Sequence, residues 1–185
     1  MELKVSRELS TILSYAKDEA MRTGHYGIGA DHLVLGAIRH GNNEICSAIK
    51  ALGADTAELK ALIDKAIFKE QGIAWGDADG IGLTKKAHGI LAMARMETLR
   101  FGQDCTGPAH LLLALCRVED SVSAGYFTTH GIGYDTVRAW LEAGGCLTSG
   151  KDNIRLKAED IADALEAEIR RASAAGILKS DTIYS

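Results

Sequence analysis

The chain has 185 residues, with 21 basic and 25 acidic side chains and a formal charge of −4. Hydrophobic residues at 46% and charged residues at 25% describe a folded domain rather than a disordered chain. The mild acidity excludes a general nucleic-acid binder, and no apolar run approaches the roughly 18 residues that cross a bilayer.

One proline, 5% aromatics and many Ala, Leu, Glu, Lys and Arg residues, without runs of alternating β-branched residues, predict an all-α fold. In chain order, the first helix is expected over about Ser6–Thr23. Val5, Leu9, Ile12, Leu13, Ala16 and Ala20 form its apolar stripe, Ser6 its N-cap and Gly24 its C-cap. A glycine-rich loop leads to a short helix carrying Leu33, Leu35 and Ile38, then to a third over Ile45–Leu52 closed by Gly53. A fourth, over about Asp55–Lys69, places Leu59, Leu62, Ile63, Ala66 and Ile67 on one stripe. A connector rich in glycine, Gln71–Gly82, holds Trp75. Four more helices follow: Thr84–Phe101, Pro108–Val118, Ser121–His130 and Tyr134–Ala143, the last bearing Val137, Trp140 and Leu141. Pro108 suits a first helical turn. Both tryptophans are expected to anchor core or loop. Beyond a polar loop, an amphipathic helix over about Lys157–Ala175 carries Ile161, Leu165 and Ile169.

The two sets of four are copies. An offset of 78 positions superposes the segment from Gly24 to Leu35 on that from Gly102 to Leu113 without a gap. It also pairs Ser6 with Thr84, Glu19 with Glu97, Arg39 with Arg117 and Gly53 with Gly131. Each half, at about 65 to 70 residues, is small for an independent core, so the copies are expected to pack about a pseudo-two-fold axis. The expected organisation is a double-repeat domain over 1–145, with repeat one about 3–70 and repeat two about 81–145, followed by loop and extra helix over 146–185.

Cys46, Cys105, Cys116 and Cys146 lie far apart with no C-x-x-C pair, which points to free thiols and a reducing, cytoplasmic setting. The N-terminus lacks the order of a signal peptide. No P-loop, G-x-S-x-G or H-E-x-x-H occurs, and no metal or cofactor is expected. His32 and His110 occupy equivalent places at their helix starts. They read either as loop-to-helix hydrogen-bonding residues, with Gly29 and Gly107, or as a ligand or base pair of a small sensor or enzyme. Ser6-Arg7 and Thr84-Lys85 each set a hydroxyl and a cation at a helix N-terminus, which serves as a cap or an anion cradle. Asp31 favours its helix dipole or grips a cation, whereas its counterpart is Ala109.

The doubled pattern G-x-x-x-[IT]-G-x-x-H-[LI]-[LV]-L-[GA], at Gly24–Gly36 and Gly102–Ala114, resembles the Clp N-terminal (Clp repeat) domain of Clp-type AAA+ unfoldases. The resemblance covers about residues 3–145. It implies two four-helix repeats and a non-enzymatic module that docks substrates or adaptor proteins of the Clp protease and chaperone system. It further implies a Clp-type ATPase as partner and, for this chain, either a stand-alone protein acting as adaptor or decoy or an N-terminal fragment of a longer unfoldase. Some members bind phosphoarginine through an acidic residue before each repeat histidine. Asp31 matches that position and Ala109 does not, so the implied contact residues are Ser6, Arg7, Asp31, Thr84 and Lys85. The C-terminal helix is expected either to lie on the repeat body or to form a homodimer seam.

Overall fold

The computed structural model describes residues 4–144. The expected helix over Lys157–Ala175 lies outside the described residues, as does Cys146. Eight helices and four two-residue strands make up the described chain. Repeat one comprises β1 (Lys4–Val5), α1 (Arg7–Thr23), β2 (Gly27–Ile28), α2 (Ala30–His40), α3 (Glu44–Ala51) and α4 (Thr56–Ile67). A 3-10 turn over Trp75–Gly80 crosses the connector. Repeat two comprises β3 (Gly82–Leu83), α5 (Lys85–Arg100), β4 (Cys105–Thr106), α6 (Pro108–Leu115), α7 (Val122–Thr129) and α8 (Tyr134–Ala143).

Local chemistry sets these bounds. The Ser6 hydroxyl accepts the Leu9 N–H at 3.1 Å and opens α1; the Thr84 hydroxyl accepts the Ala87 N–H at 3.1 Å and opens α5. Gly24 ends α1 in the left-handed region (φ 85°), a backbone state that costs glycine little. Asp55 caps α4 through the Ala57 N–H. Leu9, Ile12, Leu13, Ala16 and Ala20 are buried as their spacing predicts. Burying each of the larger side chains contributes roughly 1.5–3 kcal/mol.

The short strands, which helical patterning does not announce, show how the copies interlock. β1 pairs in parallel with β4 (Lys4 with Cys105, Val5 with Thr106), and β2 with β3 (Gly27 with Gly82, Ile28 with Leu83). The 78-residue offset carries one pair onto the other, as a pseudo-two-fold axis requires. Each repeat therefore lends its first strand to the other's loop. One apolar cluster spans both copies, running from Leu9, Ile12, Leu33 and Ile49 to Ile90, Leu112, Phe127 and Leu141. The Tyr126 hydroxyl of α7 adds a polar tie, accepting the Asp55 N–H and donating to Glu58.

Two expectations need correction. On α4 only Leu59 and Ile63 are buried, while Leu62 and Ala66 face solvent, because α4 packs along a narrow seam at the edge of the domain. Trp75 is 80% exposed on the 3-10 turn and lies outside the core, whereas Trp140 packs half-buried against it.

Candidate functional site

The strand exchange decides which helix starts meet. The Ser6 N–H donates to Thr106 O, so Ser6 and Arg7 stand beside the loop that enters α6, next to Ala109. The Thr84 N–H and hydroxyl both donate to Ile28 O, so Thr84 and Lys85 stand beside the loop that enters α2, next to Asp31. Each cluster thus draws its hydroxyl and its acidic position from different repeats. Both hydroxyls serve as caps, and Arg7 and Lys85 are exposed. The Asp31 carboxylate accepts the Ser123 N–H at 2.9 Å and the Val122 N–H at 3.2 Å, and so caps α7 from across the repeat boundary. That position combines hydrogen bonds with a favourable helix dipole.

His32 Nδ1 accepts the Gly29 N–H at 3.0 Å, and His110 Nδ1 accepts the Gly107 N–H at 2.9 Å. The proton therefore sits on Nε2, which donates to the Thr23 hydroxyl in one case and to Gln103 Oε1 in the other. Burial pushes both imidazoles down to about 4 and keeps them neutral near pH 7. Both ring nitrogens are occupied in each copy, the geometry of a bracket between loop and helix. Burial likewise pushes the Cys116 thiol up to about 12, far from a reactive thiolate. Among the described residues no group of three or more His, Cys, Asp or Glu is placed to hold a metal ion.

A buried carboxylate recurs in both copies. Glu19 receives Arg22 at 2.8 Å and Arg39 at 3.4 Å; its counterpart Glu97 receives Arg117 at 3.2 Å and the Tyr134 hydroxyl at 2.7 Å. Around these ties the outer faces diverge. In repeat one, Arg39 lies over the Tyr15 ring (5.1 Å to its centre) and reaches Asp18 at 3.9 Å, closing the side of α1 with its own groups. The equivalent positions on α5 are Met93 and Met96. There Arg117 turns to the Tyr134 ring at 4.2 Å instead. The result is a groove of about 540 Å³ floored by Gly89, Ile90, Met93 and Val118 and rimmed by Lys86, Arg117, Glu119 and Asp120. Lys86 and Asp120 form an exposed ion pair at 3.4 Å on its edge.

The model of the Clp repeat (R) N-terminal domain matches residues 4–130. The chain belongs to this family. Over 127 residues, 69% of the chain, it is 27% identical to Chaperone protein ClpB of Oceanobacillus iheyensis and 28% identical to the Negative regulator of genetic competence ClpC/MecB of Bacillus subtilis. It is 27% identical to the chloroplastic ClpC1 of Oryza sativa subsp. japonica over the same length. The chain spans about 15% of the length of the first two relatives and 14% of the third, within their N-terminal regions. The crystal structure of the Hsp104 N-terminal domain from Candida albicans superposes with a TM-score of 0.63 at 16% identity. It covers 78% of this chain and 94% of that one, a likeness of fold.

In this Clp repeat domain the groove residues Lys86 and Met93, and Met96 beyond them, escape a reading based on what the copies share. Their signal is in the mismatches at the 78-residue offset, Tyr15 against Met93 and Asp18 against Met96.

Proposed function

We propose that this Clp repeat domain docks protein clients or adaptor proteins for a Clp-type ATPase, through the groove beside α5, and performs no turnover itself. The observation that carries the reading is the groove, an apolar floor with charged walls in repeat two, at the place where repeat one sets Arg39 over Tyr15 and beside Asp18. An extended or helical segment with one apolar face gains free energy there by burying methionine and valine surface at Met93 and Val118, and methionine adapts to varied partners. The part of a stand-alone adaptor or decoy in the cytoplasm belongs to the same proposal. The cluster of Ser6, Arg7, Asp31, Thr84 and Lys85 is a weaker candidate for phosphoarginine: Asp31 is engaged with α7, and Ala109 brings no carboxylate to the other cluster.

Fluorescence anisotropy with three labelled probes tests the proposal: a permanently unfolded protein, an adaptor of the Clp system and a phosphoarginine peptide. Saturable binding of the unfolded protein or adaptor, abolished by Met93→Asp, is expected. Absence of binding to both, together with no association with a Clp-type ATPase, overturns it.

A further inference from the structure

The apolar outer face of α5 is not required by the fold, because α1 fills the same place with polar groups. At the 78-residue offset Glu8, Thr11, Ser14, Tyr15 and Asp18 of α1 become Lys86, Gly89, Ala92, Met93 and Met96 of α5. Met96 is 43% exposed, Gly89 is exposed and Met93 half-buried, so the apolar stripe continues past the groove along the helix. The exposed charges of α5 itself are Lys85, Lys86 and Arg100, all basic, while the facing wall carries Arg117 with Glu119 and Asp120, the last paired with Lys86.

The chain carries a segment of complementary character. Ala158–Ile169 holds Glu159, Asp160, Asp163, Glu166 and Glu168 without a basic residue, and it spaces Ile161, Leu165 and Ile169 four apart, the period of one helical face. Residues 144–157 separate it from the end of α8 and extend up to about 46 Å. The α5 face lies within that reach, because α8 is joined to the end of α5: Arg100 donates to the Tyr134 hydroxyl at 3.0 Å and Arg138 lies 5.2 Å over the Phe101 ring.

We propose that the segment Ala158–Arg170 docks on the α5 face of its own domain, setting Ile161, Leu165 and Ile169 against Met93 and Met96 with its carboxylates toward the basic ends of α5, Lys85 and Arg100, and away from Glu119 and Asp120. The segment then competes as a built-in ligand with any client, because a tethered ligand acts at a high effective concentration. This rests on the reading of the α5 face as a docking surface.

The test is photo-cross-linking of the full chain with benzoylphenylalanine in place of Met96, with a second protein carrying it in place of Asp18, the equivalent site on α1. Trypsin releases Ala158–Arg170 as one peptide. Expected is an intramolecular adduct of that peptide from position 96 and none from position 18, with the yield falling roughly tenfold in Leu165→Asp/Ile169→Asp, which removes two apolar contacts. No tail adduct, equal adducts from both positions, or adducts only between two chains overturn the proposal, the last by making a second copy the occupant. The readout needs no client, so its failure leaves client binding to be judged by anisotropy.

Discussion

Repeat one and repeat two are the same scaffold with different outer surfaces. Both keep a hydroxyl cap, a histidine bracket, a buried glutamate with its arginines, and left-handed glycines at Gly24 and Gly102. These shared features hold the fold. They part at Tyr15 and Asp18 against Met93 and Met96, where one arginine covers its helix and the other turns away. A duplication contains its own control: what both copies need is structural, and what only one has is free for another purpose.

The largest difference to probe is the helix crossing. A Cβ at Gly36 would sit 2.5 Å from Ile12 O and 2.8 Å from Ala16 N, whereas the other copy holds Ala114 at this place. Gly36→Ala should destabilise by about 3 kcal/mol or more through backbone overlap, and Ala114→Gly by about 1 kcal/mol, read by urea unfolding. Equal costs would show the two crossings to be alike.

The histidine brackets should behave alike. Both fall from 6.5 to about 4 on folding, so between these values the unfolded chain binds protons that the native state refuses. Their stabilisation is complete above about pH 6.5 and lost as pH falls toward 4, up to about 3 kcal/mol for each. Urea titrations from pH 7 to 4 should show this decline, and His32→Gln or His110→Gln should each flatten it. A curve unchanged by either variant contradicts the neutral bracket.

Transplanting the closed surface sharpens the contrast. Met93→Tyr/Met96→Asp gives Arg117 the partners that Arg39 has. It should preserve stability and weaken client binding roughly tenfold, as expected for lost burial of one to two apolar side chains. The smallest effect concerns Asp31: Asp31→Ala removes the acceptor of the Val122 and Ser123 N–H groups, leaves the Ser121 cap of α7 in place, and should cost about 1 kcal/mol, a fall of about 3 °C in Tm by calorimetry, while Ala109→Asp gains little.

The helices and their symmetry were legible because caps and apolar periods are local signals, strong at Ser6, Thr84 and along α1. Pairing was not, since two-residue strands such as Ile28 with Leu83 depend on where the copies meet. For the same reason the sequence offers Asp31 only its own helix dipole or a cation: its partners, the Val122 and Ser123 N–H groups, lie far along the chain. Trp75 is expected to anchor core or loop, but the connector lifts it clear of the core, 80% exposed. The groove went unread because shared residues mark the scaffold, and Met93 and Met96 are unshared.

The most direct measurement is NMR shift mapping of the isotopically labelled chain during addition of an unlabelled unfolded client. Perturbations should gather at Lys86–Met96 and Arg117–Asp120 and leave Glu8–Asp18 and Arg39 unmoved. Equal perturbation of both repeats, or a response centred on α1, would contradict a docking surface confined to the second copy.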